Sequence, residues 1–143
     1  MLTDNLKVLL ATSHSIYLKA ANFHWNVEGE DFPQYHELLG EFYSDVYDSI
    51  DPIAEYIRAL SAYTPGSLSR FMELTMVKDQ VIVPSASEMF TELLSDLTTT
   101  ITYLNDTFDV ATTERQQGIA NFLAEKIDLY QKYSWKFRSI LKD

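Results

Sequence analysis

Apolar residues recur at three- and four-residue steps along nearly the whole chain, and each sustained run of that spacing predicts an amphipathic helix. Leu6, Leu9, Leu10, Ile16, Tyr17, Ala20, Phe23 and Val27 form the first stripe and predict a helix over about 3–27 that stops near Gly29. Leu39, Phe42, Tyr43, Val46, Ile50, Ile53, Ile57 and Leu60 predict a second over about 33–62, ended by "TPGS". "SLSRFMELTMV" reads as a short helix in the connection that follows, and "VIVP" as a brief extended stretch. A third long helix begins at a capping box, Ser85 with Glu88 three residues on, and carries Met89, Phe90, Leu93, Leu94, Leu97, Ile101 and Leu104. The fourth runs over about 113–141 through Ile119, Phe122, Leu123, Ile127, Tyr130, Tyr133, Trp135, Phe137 and Leu141. Four long helices with the longest connection between the second and third predict an all-α four-helix bundle with one crossover and a small extra helix. No repeat, low-complexity segment or linker divides it, so residues 1–143 are expected to form one domain.

Composition narrows the chemistry. The chain has no cysteine, which excludes disulfides, thiolate metal sites and cysteine nucleophiles and leaves His, carboxylate or backbone to hold any metal. No apolar run approaches the ~20 residues of a membrane span, and "MLTDNLKVLLATSHS" lacks the basic start and cleavage site of a signal peptide, so a soluble cytoplasmic protein is expected. Net charge is −10, which argues against nucleic-acid binding driven by Lys and Arg. The distribution tells more than the total. Glu28, Glu30, Asp31, Glu37, Glu41, Asp45, Asp48, Asp51 and Glu55 fall in one stretch without a single Lys or Arg. Such a run is ordinarily a solvated face, but without interspersed cations to support the helix it is also a surface that attracts cations.

Candidate ligands lie in and just beyond that stretch. Two of the three histidines, His24 and His36, flank the break "NVEGEDFP", and Asp51 with Glu55 lie one turn apart on one face of the second helix. A histidine at a helix end is as often a cap or a satisfied polar group as a ligand. Asp51 could simply cap a helix restarted at Pro52. The intra-bundle di-iron pattern, Glu-x-x-His, is absent, because Ala11, Ala21 and Pro33 precede His14, His24 and His36 by three. Asp51 and Glu55 stand about 22 and 28 Å beyond His36 on a straight helix rising ~1.5 Å per residue. One chain therefore cannot gather all four groups around one ion, whereas two antiparallel copies of the second helix could. That predicts a metal site shared across a dimer two-fold. His14, mid-helix, reads as structural or exposed.

"LLATSHSIYLKAANFHWNVEG", "YHELLGEFYSDVYDSIDPIAE" and "WKFRSIL" resemble the first, second and last helices of the Dps family of mini-ferritins, and the resemblance covers essentially the entire chain. It implies a ferritin-like bundle assembled as a hollow homododecamer that oxidises Fe(II), preferentially with hydrogen peroxide rather than oxygen, and stores ferric mineral inside. It implies that His24 and His36 of one subunit face Asp51 and Glu55 of its partner, with Trp25 beside the iron as an electron donor and radical quencher. Zn(II) fits the same ligands and is expected as a substitute. The sequence departs from the family in four places. Gly40 stands where the family has an Asp four residues after its second-helix His; Tyr56 replaces the usual Arg; Tyr130-Gln131-Lys132 replaces His-Glu-Lys; and the basic N-terminal tail of many DNA-binding members is missing. The first departure predicts a ferroxidase site short of one carboxylate that Gly40→Asp would restore. Its alternative is a rebuilt site in which Gly40 makes room for a neighbour, such as Glu37 or a partner tyrosine. The last departure, with the net charge, predicts weak DNA binding, supported at most by Lys132, Lys136, Arg138 and Lys142, which otherwise complement the last helix dipole.

Overall fold

The structure is a computed structural model describing residues 1–142. Five helices follow in order: α1 (Leu2–Asn26), α2 (Phe32–Ala59), α3 (Leu68–Leu74), α4 (Ala86–Thr113) and α5 (Gln117–Leu141). The described residues contain no strand, and "VIVP" is irregular. α1 pairs with α2 and α4 with α5 as two helical hairpins. The crossover between them carries α3, which packs on α1, and α1 packs on α4.

The expected stripes are the buried ones, except that Trp135, assigned to the fourth, is 59% exposed because it points off the buried face of α5 that carries Tyr130, Tyr133 and Phe137. Phe23, Phe42, Phe90 and Phe137 are fully buried, with Leu6, Leu9, Ile16, Leu39, Val46, Ile57, Leu93, Leu97 and Leu123 around them. Phe42 meets Tyr133 and Phe137 edge-on at 4.9 and 5.2 Å, and Phe90 meets Phe137 at 5.3 Å and Tyr35 at 4.9 Å. These aromatic pairs tie α2, α4 and α5 together, each contributing about 0.5–1.5 kcal/mol beyond its buried area. Ser85 accepts from the Glu88 amide at 3.2 Å and donates to its carboxylate at 3.0 Å, so the expected cap is present. In the Thr-rich middle of α4 hydroxyls bond back one turn, as Thr100 does to Asp96 and Thr107 to Tyr103, which satisfies both buried groups.

Three boundaries differ from expectation. α2 ends at Ala59 rather than near 62, because Ser61 turns left-handed (φ 69°) and the Ala62 amide bonds back to Ile57. α5 starts at Gln117 rather than 113, because Arg115 (φ 60°) closes α4 with Gln116 bonded to Ala111. Neither reversal carries the glycine that ordinarily announces it. α3 spans only Leu68–Leu74 of the longer stretch expected. At Pro52 the helix does not restart: α2 is continuous through it, so Asp51 is not a cap.

Tyr56 and Tyr130, two of the residues that depart from the pattern the sequence resembles, make core contacts. Tyr56 packs edge-on to Phe122 at 5.3 Å across α2 and α5, and Tyr130 is buried. Burial pushes the Tyr130 phenol from 10.0 up to about 12. The unfolded chain, with its phenol near 10, then ionises first, so this contribution is whole below about pH 10 and is lost as pH rises toward 12. Denaturant unfolding at about pH 11 is expected to show roughly 1.4 kcal/mol of extra alkaline loss relative to Tyr130→Phe. Parallel pH profiles for the two proteins would contradict it.

Candidate metal centre

The hairpin between α1 and α2 builds this centre. α1 ends one residue after Trp25, with the Val27 amide bonded to the Phe23 carbonyl and Val27 extended. Gly29, at φ 119°, makes a turn that side-chain-bearing residues rarely adopt, and Pro33 in the first turn of α2 suits the positions where no amide partner is needed. Only five residues, 27–31, separate the helices, so the last turn of α1 lies against the second turn of α2.

That juxtaposition stacks His24 on His36, with ring centroids 3.8 Å apart and planes 14° from parallel. The pair is bonded reciprocally. His24 Nδ1 lies 2.6 Å from the His36 carbonyl oxygen, and His36 Nδ1 lies 2.7 Å from the His24 carbonyl oxygen. A carbonyl only accepts, so both Nδ1 atoms donate, and in each neutral ring Nε2 keeps its lone pair for a metal. This is the arrangement in which the remote ring N–H fixes the tautomer and orientation of a ligating imidazole. A metal binds in the plane of the imidazole, and two stacked rings whose planes are 14° from parallel do not converge on one ion. Rings stacked in this way could each serve a separate ion but not share one between them.

Phe32 stacks on His36 at 5.1 Å, and Tyr43 tilts against His24 at 5.2 Å, so apolar faces flank the imidazoles. Asp51 and Glu55 lie exposed on α2, and the described residues hold no group of three or more His, Asp or Glu able to hold a metal within one chain. Eight of the nine acidic residues from Glu28 to Glu55 are exposed, Asp45 being half-buried, and none of the nine forms an ion pair among the described residues. The face that carries the candidate ligands is thus uncompensated negative surface. Trp25 is 64% exposed, and Glu37 is exposed without a bond to either imidazole. His14 is half-buried against Phe71 and Tyr17, away from the pair, as a structural residue.

A Cβ built at Gly40 would lie 2.9 Å from His24 Cε1 and 3.1 Å from its Nδ1. The space an Asp would need belongs to the His24 ring, so the neighbour for which Gly40 makes room is neither Glu37 nor a tyrosine. An Asp at position 40 therefore cannot enter without moving the His24 ring.

Sequence reasoning also missed two polar clusters. Lys19, its side chain only 2% exposed, binds Glu92 and Asp96 at 2.9 Å each, and Gln80 donates to the other oxygen of Glu92. Part of the signal was in the sequence, since Lys19 lies on the apolar stripe of α1 and Glu92 and Asp96 are one turn apart, but not their meeting. Tyr133 donates to Asp45 at 2.5 Å, and burial pushes its phenol well above the usual range, with Asp45 adding to the shift. Of the C-terminal cations, Lys132 pairs with Asp128 on its own helix at 3.3 Å and Lys136 lies over the Tyr133 ring.

Residues 3–143 match the model of the ferritin-like domain family. A low temperature-induced protein of Nostoc sp. is 35% identical over 135 residues, 93% of this chain and 75% of that protein. Among solved structures, Dps from Staphylococcus aureus superposes with a TM-score of 0.96 at 27% identity, covering 99% of this chain and 95% of that one. Dps from Vibrio cholerae, described as a member of a broad superfamily of ferritin-like diiron-carboxylate proteins, superposes with a TM-score of 0.94 at 25% identity, covering 99% and 89%.

Proposed function

The chain belongs to the ferritin-like domain family, in its Dps branch, and from that premise we propose that it is a mini-ferritin that oxidises Fe(II) with hydrogen peroxide and stores the ferric product in a dodecameric cage. The observation that carries this reading is the His24–His36 pair, held by reciprocal Nδ1 bonds with both Nε2 atoms free. His24 and His36 bind Fe(II), the substrate, as neutral imidazoles. Asp51 and Glu55 of a partner subunit complete the two positions and stabilise the Fe(III) product, because carboxylate favours the harder, more highly charged ion.

Two Fe(II) each give one electron to one peroxide, which takes up two protons and leaves as two waters. No hydroxyl radical is released in that balance. Trp25 supplies an electron when only one Fe(II) is in place. The unpaired acidic face of α2 attracts the cation, and Zn(II) competes for the same donors. A DNA-coating role is not part of the proposal, given the net charge of −10 and the pairing of Lys132 with its own helix. No helix of the described residues is long and apolar enough to cross a membrane.

Anaerobic addition of Fe(II) followed by peroxide, with oxidation, bound iron and sedimentation all recorded, tests the reading. Two Fe(II) are expected to be oxidised per peroxide by a particle sedimenting as a dodecamer. A monodisperse monomer at micromolar concentration removes both the cage and the shared site, and oxidation no faster than that of free iron removes the activity.

A further inference from the structure

We infer that Gly40 is a positioning residue: by carrying no side chain it lets the His24 ring settle against α2 and lock with His36, so that this site is ordered by imidazole packing. The inference rests on the metal-centre reading above, and deepens it.

Three contacts define the seat of His24. Its Nδ1 donates to the His36 carbonyl at 2.6 Å, its face stacks on His36 at 3.8 Å, and the α2 backbone at Gly40 lies so close that a Cβ would stand 2.9 Å from Cε1. Gly40 is one turn beyond His36 on the same face of α2, so the ring lies over the helix turn that includes both residues. Real Cβ contacts essentially never close to 2.9 Å, and the atom opposed is part of a rigid ring. The ring has little room to yield: it is stacked on His36 on one side and meets Tyr43 at 5.2 Å. Any side chain at 40 therefore moves His24 and breaks its Nδ1 bond, and His36, stacked on it, loses its neighbour. Gly in mid-helix is otherwise unfavourable relative to Ala. Here that cost is offset by an ordered pair of ligands.

The test is a cycle on the metal-free protein, followed by Zn(II) titration. In a His24→Ala background the contact is gone, so Gly40→Ala should raise the melting temperature as helix propensity dictates. With His24 in place, the same substitution should leave the melting temperature unchanged or lower it. In the ¹⁵N spectrum of the histidine side chains, the Nδ1–H signature of His24 should be present in the parent protein and lost in Gly40→Ala, while Zn(II) binding weakens on the order of tenfold or more. Gly40→Asp should do no better than Gly40→Ala. A Gly40→Ala protein that gains stability with His24 present, keeps the His24 Nδ1–H signal and binds Zn(II) as tightly as the parent overturns the inference, as does a Gly40→Asp protein that binds Zn(II) more tightly than the parent. The failure of the underlying metal-centre reading looks different: there His24→Ala itself leaves Zn(II) binding unchanged. The melting cycle needs no metal and so remains decisive in either case.

Discussion

Peroxide-dependent Fe(II) oxidation is expected to fall at least about a hundredfold in His24→Ala and in Asp51→Ala, with assembly and melting temperature close to those of the parent protein. The two substitutions test opposite halves of one shared site. His24→Ala removes an imidazole but keeps the backbone carbonyl at position 24, so His36 retains the acceptor of its own Nδ1 bond at 2.7 Å and the second ligand stays aimed. The loss then reports the missing ligand rather than a collapsed hairpin. Asp51 is exposed and forms no ion pair within the chain, so its truncation should change stability by no more than about 0.5 kcal/mol. Stopped-flow absorbance of ferric product, read beside sedimentation of each variant, separates chemistry from assembly. Unchanged oxidation kinetics in both variants would place the chemistry elsewhere in the molecule. Loss in His24→Ala alone would retain the imidazole pair and discard the partner carboxylates.

Lys19→Met should be the most damaging single change to stability outside the aromatic core. Lys19 lies between Glu92 and Asp96 at 2.9 Å from each, its side chain 2% exposed, and their side chains are 26% and 13% exposed. Taking one partner from a buried ion pair leaves uncompensated charge and costs about 3–5 kcal/mol, whereas the attraction itself is worth much less than its distance suggests. Burial raises the Asp96 carboxyl above its ordinary value and the nearby Glu92 charge adds to this, outweighing the lowering by the Lys19 ammonium. The folded state therefore holds a proton on Asp96 at a pH where the unfolded chain has released it, so this carboxylate is a liability that grows as pH rises through its folded value. Two consequences can be measured by urea unfolding. The Lys19→Met penalty should be full near neutral pH and shrink as acid protonates the pair of carboxylates. Asp96→Asn should cost far less than Lys19→Met, since Lys19 keeps Glu92 as its partner. Equal losses in the two variants, or a Lys19→Met penalty below about 1 kcal/mol, would show that the triad is not the tie between α1 and α4.

The architecture was legible because it follows from local periodicity. Apolar residues at three- and four-residue steps define which face of each helix is buried, and Phe23, Phe42, Phe90 and Phe137 lie on those faces and in the core. The capping box at Ser85 and the turn at Gly29 are equally local, since each depends on the chemistry of a few consecutive residues. Helix ends at Ser61 and Arg115 were not legible, because side-chain-bearing residues there adopt a left-handed backbone that glycine ordinarily announces. The candidate ligands His24, His36, Asp51 and Glu55 could be picked from spacing, and so could the impossibility of gathering them in one chain, because a helix has a fixed rise. What spacing does not carry is contact between elements. Only the packing of α1 on α2 decides that each histidine bonds the other's carbonyl, that their planes are parallel, and that the space beside Gly40 is already filled by His24. The same is true of Lys19, whose carboxylate partners lie 73 and 77 residues away in sequence. The periodicity of one helix specifies a buried face, but the depth of each group on it, and the atoms it meets there, depend on the helix packed against it.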